Sequence, residues 1–336
     1  MAGRLSLTSG GVVAAAATLP PLSGQVTLAG RSADAELQVS DWGSRLRLSA
    51  RLPASRAGRD PLATGTLTLA SPLVESMSRG LGVTLKGGTL DGEGSWFWRD
   101  GPVLAADLRL RDLALDWGGI LASGGSGDVR VDWRDGALRA SSTAPFRLAE
   151  LDVGTRIDTI RFDLDTDLQT WRLRGARAGV LGGQVTADAL TWPSPDWQTM
   201  TVSGIDLAQV AALQSGQDRA VSLAGRVSGS LPLQLGRSTL AVRDGRLAND
   251  GPLLLQVHST PGVAAMAKSN LAVQLALDSL GNLRVDDFRA GLGMSADGWL
   301  DAAITIRGDN LQPKRQPVVL NYTHRENVLE LLRSLR

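Results

Sequence analysis

Cysteine is absent from this sequence, which excludes a disulfide scaffold, a thiolate metal site and a cysteine nucleophile. Lysine is rare as well and occurs only at 86, 268 and 314, so nearly all of the positive charge comes from arginine. Acidic and basic residues almost cancel, to a formal net charge of +1, and are interleaved along the chain. This balance gives no electrostatic reason to expect a nucleic acid as a partner.

Long hydrophobic runs are also missing. No segment approaches the roughly 18 apolar residues that cross a bilayer as a helix, and the apolar stretch Val12–Leu22 is interrupted by Pro20 and Pro21. The start of the chain has no charged segment followed by an apolar one, the arrangement typical of a signal peptide. The chain begins abruptly in strand-like sequence, so we expect it to be a fragment of a longer protein.

Residues that build catalytic or metal sites are scarce. The two histidines, His258 and His324, are far apart in sequence, whereas a zinc site needs several ligands. Nucleophile-elbow, P-loop and dinucleotide-binding motifs are not found. Asp163, Asp165 and Asp167 alternate along one predicted strand, which favours a solvated face over a calcium site. We therefore expect no catalytic residue, no metal and no cofactor.

Alternation of apolar and polar residues is the dominant pattern, and it is typical of strands with one buried face. Hydrophobic residues make up 43% of the chain and glycine contributes 39 residues. The sequence therefore predicts a mainly β fold, rich in antiparallel hairpins, with few helices. Clear alternating segments are Arg45–Leu48, Gly65–Leu69, Asp107–Arg111, Arg161–Asp165 and Ala303–Arg307.

Asp-Gly pairs between these segments predict tight turns, because both residue types tolerate positive φ angles. Their spacing is irregular, which indicates a meander rather than a fixed repeat. Three pairs follow an arginine, and two more do not. They are Arg99-Asp100-Gly101, Arg134-Asp135-Gly136, Arg243-Asp244-Gly245, Asp91-Gly92 and Asp297-Gly298.

Helical periodicity occurs in three places. Pro72–Leu81 and Asp206–Leu213 are short candidates. The third is the C-terminus, where Thr323 and Glu326 have the spacing of a capping box. Its apolar stripe predicts an amphipathic helix that either plugs the end of a β core or docks on a partner. The stripe consists of Val328, Leu331, Leu332 and Leu335.

The nine tryptophans contrast with a single tyrosine and four phenylalanines. Tryptophan serves core packing, anchors interfaces or forms a platform for sugars, and the sequence alone leaves these roles open. Several tryptophans are in or beside predicted strands. These are Trp96, Trp98, Trp133, Trp171 and Trp192.

The second half of the chain resembles the C-terminal region of YdbH-like proteins, in the AsmA-like group that also includes TamB and YhdP. An ordered series of segments carries the resemblance over roughly residues 200–336, whereas the earlier part agrees only in its strand-and-glycine style. The segments are Val221–Leu233, Leu240–Leu247, Gly308–Leu311, Pro317–Tyr322 and Glu326–Leu332.

The resemblance implies one continuous module over residues 1–336, a long sheet that curls into an open, taco-like groove. It also implies a periplasmic protein, anchored in the inner membrane by an N-terminal helix and reaching the outer membrane, that carries phospholipids. A small outer-membrane lipoprotein is the expected partner at the C-terminal end. Candidate groove residues are Leu108, Leu110, Ile160, Phe162, Leu164, Leu173, Ile304 and Ile306, and candidate docking residues are Val318, Val319, Leu320, Val328, Leu331, Leu332 and Leu335.

Three functions stay open at this point. A lipid conduit needs an apolar face that is open to its cargo. An assembly module would instead recruit partner strands to an exposed sheet edge. Carbohydrate binding rests only on the tryptophans and the abundant aspartate. A second sheet that packs over the apolar face, in a sandwich or barrel, would produce the same alternation.

Overall fold

The computed structural model describes residues 2–9, 12–14, 17–53, 61–79, 82–213, 221–257, 281–311 and 315–328. Strands dominate these residues. Every pairing found among them is antiparallel. The prediction of a mainly β, antiparallel-rich fold is thus confirmed. Of the helices in the described part of the chain, none has the length and apolar character to cross a membrane.

The chain divides into two compact units: unit 1 is 1–153 with 158–175, and unit 2 is 154–157 with 176–336. The continuity of a single module over residues 1–336 stays a prediction. The strands that lie in unit 1, with β13 and β14 extending across the division, are β1 (Ala2–Ser9), β2 (Val12–Ala14), β3 (Ala17–Leu19), β4 (Leu22–Ala29), β5 (Ser32–Val39), β6 (Ser44–Arg51), β7 (Ala63–Pro72), β8 (Thr84–Trp98), β9 (Pro102–Trp117), β10 (Ile120–Arg134), β11 (Ala137–Ser142), β12 (Phe146–Asp152), β13 (Arg156–Thr166) and β14 (Trp171–Val180).

In unit 1, β1 pairs with β4, and each strand from β4 to β10 pairs with the next along the chain. Strand β10 also pairs with both β11 and β12, and β11 pairs with β13. The short strands β2 and β3 pair with each other. This order is the meander expected from the irregular turn spacing, because neighbours in sequence are neighbours in the sheet.

In the described residues of unit 2, the α-helix α1 (Leu207–Ala212) lies between strands of the sheet. Its pairings connect β15, β16, β18, β19, β21, β22 and β23 in that order, and β17 and β20 extend beside β21. The bounds are β15 (Gly183–Trp192), β16 (Gln198–Asp206), β17 (Val221–Ala224), β18 (Arg226–Leu235), β19 (Leu240–Asn249), β20 (Leu253–Val257), β21 (Leu283–Met294), β22 (Trp299–Asn310) and β23 (Gln316–Asn327).

One of the three helix predictions is confirmed, one is wrong, and the third is wrong in its predicted start. The segment Asp206–Leu213 contains α1, which starts after Asp206 because its carboxylate accepts a hydrogen bond from the Ala208 amide at 2.9 Å. In the described part of Pro72–Leu81 the predicted helix is replaced by a 3-10 turn, Glu75–Ser78, and a second such turn covers Ser40–Trp42. The Ser78 hydroxyl accepts a hydrogen bond from the Leu85 amide at 3.0 Å and ties this loop back to β8.

The C-terminal capping box is wrong. Thr323 and Glu326 lie inside β23, paired with Ala303 and Leu300 of β22. The alternating ladder of β23 extends to Asn327, and cross-strand hydrogen bonds therefore replace the predicted cap. Val328 is the first residue in helical conformation and is half-buried. Leu331, Leu332 and Leu335 are outside the described residues, as is His258.

The Asp-Gly pairs do not all form hairpins. Asp135 and Gly136 do, with φ values of 54° and 77°, and the pairs at 100–101 and 297–298 also lie at turns. The pair at 91–92 is instead part of the regular ladder of β8. Asp244, with φ of 54°, forms an irregularity within β19. A left-handed residue serves a β-bulge as well as a turn, so the dipeptide alone does not distinguish them.

Candidate functional site

The most extensive apolar surface in the described residues is one face of the unit 1 sheet. In an antiparallel pair, directly opposite residues point to the same side, so the pairing register identifies rows of side chains that cross the strands. One such row is Leu7, Gly24, Leu37, Leu46, Leu69, Gly92, Leu108 and Val129. The next is Leu5, Val26, Ala35, Leu48, Leu67, Gly94, Ala106, Val131 and Ala140. We call these rows, with their neighbours on the same side, the apolar face.

Burial of the apolar face is incomplete. Leu46, Leu69 and Leu108 are half-buried, and Leu5 and Leu7 on β1 are exposed. Of the hydrophobic residues described in unit 1, only Ala106 and Ala122 are buried. The interior of a sandwich or barrel would enclose the large leucines as tightly as a crystal of organic molecules. Among the described residues, the leucines of the apolar face of unit 1 are therefore less enclosed than those of a closed interior.

Glycines in the rows let neighbouring side chains lie close to the sheet. A Cβ on Gly92 would come within 2.5 Å of Leu108 Cδ2, and a Cβ on Gly127 within 2.6 Å of the Phe146 ring. The ring of Phe146 thus covers Gly127, which is opposite Leu110. Any larger residue at these two glycines would push the neighbouring side chain away from the face.

Phe146 connects two of the predicted groove residues, and sequence reasoning did not identify it. Its ring stacks on that of Phe162, with centroids 5.7 Å apart and an interplanar angle of 5°. Because Phe146 also covers Gly127 beside Leu110, the structure places Leu110 and Phe162 at one patch. The alternation in Phe146-Arg147-Leu148 was the available signal, but its partner across the sheet was not apparent from sequence.

The other unit 1 candidates are arranged around this patch. Leu108 lies in the first apolar row, and Ile160, Phe162 and Leu164 alternate along β13, so they share one side of that strand. The Leu164 amide donates to the Ser142 hydroxyl at 2.8 Å, and Ser142 is opposite Val129 in the first row. Leu173 is half-buried on β14, but the described pairings do not connect it to this patch.

Ile304 and Ile306 lie in a different environment, within unit 2. Ile306 belongs to a buried cluster, and Ile304 packs against it. Leu207 and Val210 of α1 also pack on the cluster, so a helix covers part of the apolar side of this sheet. The buried members are Val202, Ile205, Val227, Leu253, Leu283, Val285 and Ile306.

The docking candidates on β23 separate by the side of the strand that they occupy. Val318 and Leu320 pack against the buried cluster, whereas Val319 points to the opposite side and is 64% exposed. Beyond them on the cluster side, the chain becomes polar. Tyr322 Oη is 3.1 Å from His324 Nδ1, and His324 Nε2 is 3.1 Å from Glu326 Oε2. His324 is therefore part of a strand rather than the first turn of a helix.

The reverse side of unit 1 is polar and solvated. Cross-strand ion pairs run along it, with Arg130 Nη1 at 2.8 Å from Asp107 Oδ2 and Arg109 Nε at 3.2 Å from Asp128 Oδ1. Hydrogen bonding and the charge of Asp107 raise the pKa of Arg130. Such exposed pairs stabilise weakly, and their main effect is to make the two sides of the sheet chemically opposite.

The three alternating aspartates do not form one row. Asp163 and Asp165 are half-buried on β13, whereas Asp167 lies beyond the strand in a turn. The Thr170 and Gln169 amides donate to Asp167 Oδ1 at 2.7 and 3.0 Å and lower its pKa from the ordinary 3.8. In the part of the chain that the structure describes, no group of acidic or histidine side chains is arranged to hold a metal ion.

The tryptophans are mostly not core residues. Trp98, Trp133 and Trp192 are exposed, and Trp96 and Trp171 are half-buried. Core packing therefore does not account for the first three. Trp192 donates to the Gly236 carbonyl at 2.7 Å, which holds it against a loop of unit 2.

Comparison with known proteins agrees with this geometry. The family described as "YdbH-like: Intermembrane phospholipid transport protein YdbH" matches residues 2–336. This chain belongs to the YdbH-like family. The match extends well before residue 200, so the strand-and-glycine half is also YdbH-like.

A relative in Escherichia coli (strain K12), described as "Probable phospholipid transport protein YdbH", is 29% identical over 210 residues. That similarity covers 60% of this YdbH-like chain and 24% of the relative, so the chain spans about a quarter of the curated protein that it matches. No solved structure matches the chain.

Proposed function

We propose that this chain is a non-enzymatic section of a phospholipid conduit, in which the apolar face of unit 1 shields acyl chains during transport between the inner and outer membranes. One observation carries the proposal: large apolar side chains form rows from β1 to β10 and remain half-buried or exposed. A surface of this size on a soluble protein marks a site for an apolar partner. The similarity to a phospholipid transport protein supports acyl chains as that partner.

The energetics agree with this role. Each CH₂ exposed to water costs about 0.8 kcal/mol, so a chain of about 16 carbons faces a barrier of about 13 kcal/mol if it crosses water. The first apolar row, extended to Ser142 on β11, takes eight inter-strand steps of about 4.8 Å, or roughly 38 Å in total. One leaflet contributes about 15 Å of hydrocarbon, so the row is long enough to cover a complete acyl chain.

The location and partners follow from the same proposal. The chain would operate in the periplasm, as part of a longer protein anchored in the inner membrane and reaching the outer membrane. A small outer-membrane lipoprotein would bind near β23. The exposure of Val319 supports this position. The pairing pattern supports it as well, because in the described residues β23 pairs with β22 along one edge and its other edge can accept a partner.

A second candidate function is strand recruitment, in which the edge of β23 pairs with strands of partner proteins. Val319→Pro tests it, because proline removes a backbone donor on β23. We expect loss of binding to a strand-forming partner peptide, with lipid loading unchanged. The matched control is Val242→Pro in β19, a strand paired on both sides. It should damage the fold instead.

Site-specific photocrosslinking tests the conduit itself. A photoreactive residue at 110 or 162 should form lipid adducts, and one at 173 tests whether the surface extends along β14. The same residue at Thr68, which is exposed among the polar rows of β7, is the matched control and should form none. Peptide adducts at 110 would favour assembly instead. Equal lipid labelling at 68 and 110 would contradict a one-sided lipid surface.

A further inference from the structure

The sequence Trp-Arg-Asp-Gly occurs twice, at Trp98–Gly101 and Trp133–Gly136. The first copy joins β8 to β9 and the second joins β10 to β11. Because β9 and β10 are paired, the two copies are side by side, about 10 Å apart when counted as two strand spacings. We call this side of unit 1, where these hairpins turn, the turn edge.

Both tryptophans belong to the apolar face at the point where it meets the turn edge. Trp133 is opposite Leu104, which is itself opposite Trp96. Trp98 follows Trp96 by two residues and so shares its side. Despite this apolar location, Trp98 is 46% exposed and Trp133 is 41% exposed.

Other exposed apolar residues mark the same edge. Leu52 follows β6, and its amide donates to the Arg31 carbonyl in the β4–β5 turn. Leu62 precedes β7, and its amide donates to the Trp98 carbonyl. Leu168 is in the turn that follows β13, whose last residue is opposite Ala140 of β11. Each of the three is exposed.

The order of side chains at the turn edge therefore runs from aliphatic to tryptophan to charged. The same spatial order occurs at a membrane interface, where tryptophan lies between the hydrocarbon and the headgroups. Arginine suits phosphate because its planar fork donates paired hydrogen bonds. Each arginine here is followed at once by an exposed aspartate, which complements an ammonium group. One Arg-Asp pair thus matches both charges of a zwitterionic headgroup.

The opposite edge of the unit 1 sheet has different chemistry. Trp117 is exposed there too, but it is followed by glycines. The Asp116 carboxylate accepts a hydrogen bond from the Gly119 amide at 2.9 Å. Trp42 lies after Asp41 in a 3-10 turn and is followed by Gly43. Neither tryptophan precedes an arginine, so the chemistry suited to a headgroup is found at the turn edge.

We propose that the turn edge binds the headgroup of a zwitterionic glycerophospholipid whose acyl chains lie on the apolar face. Arg99 and Arg134 contact the phosphate, Asp100 and Asp135 contact the ammonium group, and Trp98 and Trp133 pack at the level of the glycerol. This inference rests on the proposed conduit, and it adds which edge the headgroups occupy and which headgroup class is preferred.

Because the chain lacks cysteine, single labels test the headgroup position directly. Pro102→Cys at the turn edge and Leu108→Cys six residues further along β9 are both on the apolar face, opposite Trp98 and Gly92, and are about 20 Å apart. Each variant carries a thiol-reactive fluorophore and is incubated with vesicles of phosphatidylcholine that is spin-labelled either on the choline or at the end of the acyl chain. Fluorescence quenching then reports which part of the lipid is near each site.

We expect the choline label to quench residue 102 at least about threefold more than residue 108, and the acyl label to quench residue 108 more than residue 102. Quenching of neither site by the acyl label would refute the conduit, and the headgroup inference with it. Acyl quenching at 108, with choline quenching at 108 equal to or stronger than at 102, would refute the headgroup inference alone.

Charge substitutions test the residue assignments. Arg99→Gln with Arg134→Gln should reduce choline quenching at residue 102 about threefold, the scale of an exposed charged contact, and lysine at both positions should restore part of it. Asp100→Asn with Asp135→Asn should shift lipid bound from equimolar phosphatidylethanolamine and phosphatidylglycerol vesicles toward the glycerol lipid, by about threefold in mass spectrometry. Unchanged quenching in the first pair or an unchanged lipid ratio in the second, with native circular dichroism, would overturn the corresponding assignment.

Discussion

Replacing Leu110 with arginine is the sharpest test of an open apolar face. Leu110 is half-buried between Leu90 and Gly127 of the neighbouring strands. Full burial of a leucine side chain is worth about 1.5–3 kcal/mol, and because an arginine stem regains part of that burial, about 1 kcal/mol is the expected loss of folding stability. The arginine stem can still cover its neighbours while its guanidinium reaches water.

The matched comparison is Ile306→Arg in unit 2. Ile306 is part of the buried cluster, so its replacement combines lost packing with a charge that has no access to water. We expect a loss of about 4 kcal/mol or more. With a urea dependence of about 3 kcal/mol per molar, the unfolding midpoint should fall by about 0.3 M for Leu110→Arg and by more than about 1 M for Ile306→Arg.

Leu110→Arg should lose little stability but much of its lipid loading. A guanidinium placed against an acyl chain loses part of its hydration, at a cost of about 2 kcal/mol, so loading of Leu110→Arg from vesicles should fall about 30-fold. Urea unfolding followed by circular dichroism, with bound lipid measured by mass spectrometry, gives both quantities. An equally large midpoint shift in the two variants would refute the argument, because it would mean that Leu110 is enclosed by protein.

Three further predictions concern particular contacts. Gly127→Val should displace the Phe146 ring from its stack on Phe162 and cost about 1–3 kcal/mol, measured as a urea midpoint; an unchanged midpoint would contradict the close packing. Asp206→Ala should cost about 1 kcal/mol by removing the cap of α1, with faster amide exchange at Ala208 as the check. Asp167 has a lowered pKa, so its stabilising effect is present above the ordinary value of 3.8 and is lost as the pH falls through the lowered one. Asp167→Ala should therefore flatten the acid limb of the stability curve, and an identical acid limb in both proteins would argue against this role.

The sequence predicted the strands well because alternation follows directly from the geometry of a pleated sheet. It predicted the α1 segment through its helical periodicity, and the structure adds that the Asp206 side chain makes the cap. It failed at Thr323 and Glu326, where capping-box spacing coincides with an alternating strand, and pairing with β22 decided the outcome. The Asp-Gly pair at 91–92 failed for a related reason, since a residue pair that permits a turn does not require one.

The degree of burial could not be predicted from the sequence. Leu108–Leu110 and Ile304–Ile306 have the same alternating pattern, yet the first pair is half-buried in unit 1 and the second lies in or against the buried cluster of unit 2. In unit 2, Leu207 and Val210 of α1 pack against that cluster. Burial depends on what packs above a strand, and the strand's own residues do not encode that.

The uniformity of the apolar rows has a consequence for movement. In the proposed conduit, a hydrocarbon tail that moves from Leu46 to Leu69 and then across Gly92 to Leu108 exchanges one apolar contact for the next, and it forms no hydrogen bond that must later be broken. Each step changes its contacts by about one or two methylene groups, or about 1–2 kcal/mol. The free-energy barriers along the proposed conduit are therefore low and similar in height, so a molecule that is held firmly away from water is still free to diffuse along the sheet.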